Sequence, residues 1–129
     1  MKLTKNFNKS EFDCKCGCEM PKDVLYNIQK VANQLQTIRD RVNVPIKVNS
    51  AYRCLKHNRS IGSNDSSQHP KGNAVDIVIK GQIPEQTANL IELLISNGDI
   101  LQGGLGIYNT FTHYDIGHNG RKRRWDKRK

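Results

Sequence analysis

The sequence predicts one α+β domain, in which a small, mainly antiparallel sheet packs with two main helices. Three observations predict this class: two segments with helical spacing of apolar residues, short β-branched runs between and after them, and turn-forming residues at their ends. The chain has 129 residues, which is near the common size of one domain. We expect residues 1–120 to form this domain and residues 121–129 to follow it as a basic tail.

The first half of the chain predicts a helix, a strand and a long loop. Residues 21–42 carry apolar side chains every three or four positions, on one helix face: Val24, Ile28, Val31, Leu35, Ile38 and Val42. The segment PIKVNSAYR, residues 45–53, alternates apolar and polar residues and predicts a strand. Residues 54–72 are rich in Ser, Asn and Gly and predict a loop, which at this length is usually functional or disordered.

The second half predicts a strand, a helix and a hairpin. NAVDIVIKG, residues 73–81, predicts the second strand. Residues 84–98 predict the second helix, with Pro84 in its first turn and Gly98 at its end. GGLGIYN and TFTHYDIG then predict two short strands that close the domain.

Charge and hydropathy restrict where the protein acts. The formal net charge is +9, and residues 121–129 hold seven basic residues and one acidic residue, a net +6. Such a segment favours an anionic polymer, either nucleic acid or a cell wall. No run is long and apolar enough to span a membrane, and the first residues lack the apolar core of a secretory signal. We therefore expect synthesis in the cytoplasm and action at a cell wall after release, or as part of a phage particle.

Four cysteines suggest a structural feature whose chemistry the sequence leaves open. Cys14, Cys16 and Cys18 lie in CKCGC, and Cys54 is distant in the chain. Structural zinc, one or two disulfides, and reduced thiols all remain possible, although paired C-x-x-C motifs are more usual for zinc. Catalysis is disfavoured, because the spacing offers no base to activate a thiol.

Asp76 is the most informative polar residue, because it lies in the apolar run AVDIVI. A buried carboxylate is costly unless a cation or several hydrogen-bond donors meet it. His69 lies seven residues upstream, and the alternation of a strand places Phe111, His113 and Asp115 on one face. Two histidines and one carboxylate are a ligand set of catalytic zinc. On spacing alone, structural histidines and an aspartate paired with Arg or backbone amides remain alternatives.

Residues 67–76, SQHPKGNAVD, fit the pattern S-x-H-x-x-G-x-A-x-D without a gap. This pattern resembles the zinc-site signature of the D-alanyl-D-alanine carboxypeptidase and L-alanyl-D-glutamate endopeptidase superfamily, peptidoglycan zinc peptidases that share a fold with hedgehog signalling domains. SEFDCKCGC, VNSAYRCLKHN and GGLGIY…FTHYDIG…RRW resemble further segments of the superfamily in the same order. The resemblance runs from Ser10 to Trp125 and implies a hedgehog/DD-peptidase-like fold.

The resemblance also implies roles for individual residues. His69, Asp76 and His113 match the zinc ligands of the superfamily. Arg53 matches the residue that grips a substrate carboxylate or carbonyl, for which a planar guanidinium is suited. Ser67 is expected to hold the substrate backbone or to orient the loop that carries His69.

The general base is the position where the chain departs from the superfamily. Several branches have an acidic residue three positions before the last zinc histidine, and here that position is Thr110, which cannot serve. Asp115 is the remaining candidate, two residues after His113 and on the same strand face. His118 is an alternative third ligand, because Asp115 lies three positions before it. We prefer His113, which lies inside the strand pattern.

The sequence therefore predicts a zinc metallopeptidase, a hydrolase that cleaves peptide bonds of peptidoglycan stem peptides or cross-links. It would act as a carboxypeptidase or an endopeptidase, in the manner of a phage endolysin and as a monomer, with the basic tail on the anionic wall. The alternative is a catalytically inactive, zinc-containing wall-binding module of the same fold, which Thr110 favours. Nucleic acid is a disfavoured partner, because the chain carries no recognisable nucleic-acid motif.

Overall fold

The computed structural model describes residues 1–117 and 119–129. Within them lie three α-helices, α1 (Lys22–Val42), α2 (Leu55–Ser60) and α3 (Pro84–Ser96), and short 3-10 turns at Lys9–Phe12 and His69–Lys71. Five strands form one sheet: β1 (Ile46–Ser50), β2 (Ala74–Ile79), β3 (Gly104–Ile107), β4 (Thr112–Asp115) and β5 (Arg123–Asp126). Their order is β1-β2-β4-β3-β5, and only the β3–β5 pair is parallel among these residues. The predicted α+β class with a mainly antiparallel sheet is confirmed.

Helix α1 buries the apolar stripe that its sequence predicts. The side chains of Val24, Ile28, Val31, Leu35 and Ile38 are buried in the core. The helix ends where Asn43 adopts a left-handed φ of 53° and donates its backbone N–H to Arg39 O at 2.9 Å. Both α1 and α3 pack against the sheet. In the described part of the chain, none of the helices has the length and apolar character needed to cross a bilayer.

The sheet register sets up the polar face of the molecule. Strand β2 lies between β1 and β4, and Asp76 is directly opposite His113. Val75 and Ile77 are fully buried on the opposite face, in the apolar core. The strand alternation therefore places Asp76, His113 and Asp115 on one side of the sheet, as their spacing predicts.

The segment predicted as a loop is partly helical. Residues 54–72 contain α2 and the His69–Lys71 turn. Asn58 in α2 is fully buried, and its Nδ2 donates to Asn64 O at 3.0 Å, which folds the segment back on itself. A helix of six residues is too short to show an apolar period, so composition alone predicts a loop here.

The basic segment, expected to follow the domain as a tail, contains a strand of the sheet. Residues 123–126 form β5, which pairs along the whole of β3. Arg124 forms two hydrogen bonds of 2.8 Å to the carboxylate of Glu92 in α3. Arg123 pairs with Asp115, and Arg128 pairs with Asp126. Because carboxylates of α3 and β4 neutralise Arg124 and Arg123, residues 123–126 are held in the sheet.

Candidate metal centre

Three side chains converge at the polar face of the sheet. His69 comes from the turn before β2, Asp76 from β2 and His113 from β4. One donor atom from each lies within 4.8 Å of the other two, and all three residues are buried. Asp76 Oδ2 is 3.4 Å from His69 Nε2, and Asp76 Oδ1 is 3.0 Å from His113 Nδ1. The structure thus brings together the three residues that the sequence suggests as ligands.

Hydrogen bonds on the far sides of the imidazoles orient both rings. His69 Nδ1 lies 2.6 Å from Ala51 O, and since a carbonyl oxygen only accepts, Nδ1 carries the proton and donates. His113 Nε2 lies 2.7 Å from Asp115 Oδ2, where it donates in the same way. When the imidazoles are neutral, His69 Nε2 and His113 Nδ1 turn lone pairs toward Asp76. Three acceptors facing one another fit a divalent cation, and hydrogen-bond acceptors behind metal-ligating imidazoles are typical of zinc sites.

Hydrogen bonds shift the pKa values of Asp76 and His113 toward the charged form of each group. Burial opposes ionisation of Asp76, but hydrogen bonds with His113 and His69 outweigh it and lower the pKa of this carboxyl below its ordinary value. Burial also opposes protonation of His113, but its hydrogen bonds to Asp115 and Asp76 raise the pKa of the imidazole. Without a metal, a protonated His113 can therefore donate from both ring nitrogens, to Asp115 and to Asp76, and a cation bound there would displace the proton on Nδ1.

The three donors lie in a cleft of about 480 Å³. Its walls include Arg53, Tyr108, Phe111, Arg123 and Trp125, together with part of the segment between α2 and β2. The rings of Tyr108 and Phe111 stack on each other with centroids 4.4 Å apart. The cleft therefore combines a polar centre with an aromatic wall, which suits a peptide-sized ligand.

Arg53 is half-buried in this cleft, and one of its N–H groups has no hydrogen-bond acceptor among the described residues. Its Nε is buried and makes no hydrogen bond to any residue that the structure describes. Burial lowers the pKa of the guanidinium, while the charge of Asp76 opposes this. Because an arginine stays charged in a protein, the guanidinium in the wall of the cleft favours an anionic or carbonyl ligand there.

Ser67 and Asp115 have contacts within the protein. Ser67 Oγ accepts the backbone N–H of His69 at 3.2 Å, and so holds the turn that carries this histidine. Asp115 is fully buried, with Oδ2 bound to His113 and Oδ1 bound to Arg123 and to the backbone N–H of Gly104. Both carboxylate oxygens are therefore occupied. His118, the alternative third ligand, lies outside the described residues.

Sequence reasoning missed the contribution of β5 to the centre. The ring centroid of Trp125 is 5.0 Å from that of His113, and Trp125 Nε1 donates to Tyr108 Oη at 3.0 Å. Gly106 in β3 leaves room for this indole, because a Cβ at Gly106 would overlap it. Arg123 and Trp125 are two residues apart and therefore share a strand face, but the surrounding run of basic residues hides this alternation.

Two histidines and one carboxylate that line one cleft are a ligand set of catalytic zinc. The sequence model of the family described as Peptidase M15 matches residues 3–115. This match covers most of the chain, which therefore belongs to the Peptidase M15 family, a family of zinc metallopeptidases. The resemblance to peptidoglycan zinc peptidases is thereby confirmed. No curated protein matched the chain closely enough to count as a relative.

Proposed function

We propose that the protein is a zinc-dependent peptidase that hydrolyses peptide bonds in peptidoglycan stem peptides or their cross-links. The convergence of His69 Nε2, the Asp76 carboxylate and His113 Nδ1 at the base of one cleft carries this proposal. Zinc bound there would supply Lewis acidity to a carbonyl and would acidify water to a pKa near ~7, so that a strong base is not required. The remaining tasks fall to residues of the chain.

Arg53 is proposed to bind an acidic group or a carbonyl of the stem peptide. Its positive charge and its place in the wall of the cleft that holds the three donors support this role. A guanidinium can form two parallel hydrogen bonds to a carboxylate, which fixes the distance between that group and the metal centre. Because stem peptides carry free carboxylates, Arg53 would select them and orient the bond to be cleaved.

Asp115 is proposed to position His113 rather than to act as the general base that the sequence suggests. A base needs a free oxygen within hydrogen-bond reach of the water, whereas both oxygens of Asp115 are engaged. Its hydrogen bond to His113 Nε2 keeps the proton on that atom and leaves Nδ1 for the metal. Arg123 and the N–H of Gly104 hold the carboxylate in place.

The proposal is tested by mass spectrometry of fragments released from purified cell-wall sacculi by the zinc-loaded protein. We expect soluble fragments whose masses identify the cleaved bond, which distinguishes a carboxypeptidase from an endopeptidase. His69→Ala should abolish release, while His57→Ala, the same change at a histidine of α2 outside the centre, should leave it intact. No release by the wild-type protein from any wall type, with zinc bound at the centre, would overturn the proposal.

A second candidate is a wall-binding module that keeps the metal without hydrolysis. Thr110 in the usual base position and the occupied oxygens of Asp115 favour it. This candidate expects the protein to sediment with sacculi while no fragment is released. Deleting residues 127–129, which follow β5 and carry part of the basic charge, tests whether wall retention depends on that charge. Retention that weakens with added salt would show an electrostatic contact.

A further inference from the structure

The four cysteines form a second cluster of possible metal ligands, apart from the three-donor centre. Cys14, Cys16 and Cys18 lie between the Lys9–Phe12 turn and α1, and Cys54 is the residue that caps the start of α2. One sulfur from each lies within 4.8 Å of the other three. Two segments 40 residues apart in the sequence therefore bring all their thiols to one point.

The sulfur separations fit the edges of a tetrahedron. Cys14 Sγ is 3.2 Å from Cys16 Sγ and 3.9 Å from Cys54 Sγ, and Cys16 Sγ is 3.5 Å from Cys54 Sγ. Four sulfurs about 2.3 Å from one zinc ion would be separated from each other by ~3.8 Å. Disulfides join sulfurs in pairs at about 2.05 Å, whereas the three separations given above are all longer. All four cysteines are free thiols in the structure.

The backbone around the cluster is arranged for sulfur ligands. The N–H of Cys54 points at Cys14 Sγ and the N–H of His57 at Cys54 Sγ, each at 3.5 Å. Such donors stabilise the thiolate form that binds metals. Gly17 adopts a φ of +83° in a turn whose N–H donates to Cys14 O at 3.0 Å, and this turn lets Cys16 and Cys18 face the same point.

We propose that Cys14, Cys16, Cys18 and Cys54 bind a second, structural zinc ion. This ion would clamp the N-terminal segment to the junction of β1 and α2. Arg53, the proposed substrate-binding residue, directly precedes Cys54, and the neighbouring Tyr52 N–H already donates to Phe12 O at 3.0 Å. The clamp would therefore fix one wall of the cleft without taking part in hydrolysis.

The test counts metal in protein purified with a thiol reductant and without added chelator. Wild-type protein should carry two zinc ions per chain, and the double variant His69→Ala/His113→Ala should carry one. Cobalt loaded into this double variant should give the near-ultraviolet thiolate-to-cobalt charge-transfer absorption of a sulfur-ligated ion. A double variant without zinc and without this absorption would overturn the proposal, and so would disulfide-linked cysteines in the reduced preparation.

A matched pair of substitutions assigns the second ion to the cluster. Cys16 is exposed, so Cys16→Ser removes one sulfur without opening the apolar core. In the background of His69→Ala/His113→Ala, Cys16→Ser should weaken zinc retention against a competing chelator by more than about tenfold. Tenfold is the lower end of the loss that is typical when a residue supporting a metal ligand is removed, and Cys16 is proposed to be a ligand itself. Lys15→Ser, the neighbouring exposed position, should leave retention unchanged. Equal retention in the two serine variants would contradict the cluster as the site.

Discussion

Replacing Asp115 by Asn separates two roles that a carboxylate beside a metal centre can have. The change keeps the size of the side chain but removes its charge and one of its acceptor oxygens. In the structure, these oxygens hold His113 Nε2 at 2.7 Å, the N–H of Gly104 at 3.0 Å and the guanidinium of Arg123. An amide cannot satisfy all three donors, so His113 loses its fixed orientation or Arg123 loses its partner.

The magnitude follows from the contact with His113. Loss of an outer partner of a metal-ligating histidine typically weakens metal affinity by about 10–100-fold. At about 1.4 kcal/mol for each factor of ten, this corresponds to about 1.4–2.8 kcal/mol of zinc binding free energy. Asp115 is fully buried, and a buried donor left without an acceptor costs a further ~1–3 kcal/mol of folding stability. We therefore expect weaker zinc binding together with a lower unfolding midpoint.

The assay is competition for zinc against a chromophoric chelator. The same measurement on His69→Ala protein gives the zinc held outside the three-donor centre, which is subtracted. Asp99→Asn, the same chemical change at an exposed position in the turn after α3, is the matched control and should retain wild-type affinity.

Turnover at saturating zinc then distinguishes positioning from base catalysis. A positioning role predicts that added zinc restores most of the activity of the Asp115→Asn protein, because the chemistry does not pass through this carboxylate. Loss of a general base would instead lower kcat by about 10²–10⁴-fold at every zinc concentration. The positioning role would be refuted if the Asp115→Asn protein bound zinc within threefold of the wild-type affinity but showed a loss of turnover that added zinc did not restore.

Three further outcomes are expected. Arg53→Lys keeps the charge but loses the planar fork, and should raise KM for a soluble stem peptide about tenfold at unchanged zinc content; an unchanged KM would remove Arg53 from substrate binding. Gly106→Ala places a methyl group where the indole of Trp125 lies, and should lower the free energy of unfolding in denaturant by ~1–3 kcal/mol. An unaltered unfolding midpoint would contradict this packing. Zinc removal by a chelator should lower Tm reversibly, because an ion at about 1,000 times its Kd stabilises by ~4 kcal/mol; equal Tm values would argue against binding to the folded state.

The sequence predicts the fold class, and the shared face of Asp76 and His113, because both depend on local periodicity. The stripe from Val24 to Ile38 has the helical period, and α1 buries it. The period of two places Asp76 and His113 on one face, and the register then sets them opposite each other. His69 lies in no periodic segment; its nearness to Asp76 in the sequence suggests it as a ligand, and the resemblance to zinc peptidases matches it to one.

The parts that sequence reasoning missed depend on contacts between distant residues. Two arginines of β5 pair with Glu92 and Asp115, and no local pattern reveals partners 32 and 8 positions away. For the same reason Trp125 was not expected beside His113. The occupied oxygens of Asp115 were equally hidden, since the spacing shows which face a side chain shares but not what binds it.

The most direct test of the metal centre is anomalous diffraction at the zinc absorption edge from crystals of the zinc-loaded protein. We predict an anomalous peak at the base of the cleft beside Arg53. The zinc ion that it marks should lie within bonding distance of His69 Nε2, the carboxylate of Asp76 and His113 Nδ1. A zinc-saturated crystal with no peak among these three side chains, or with one of them turned away from the ion, would contradict the account.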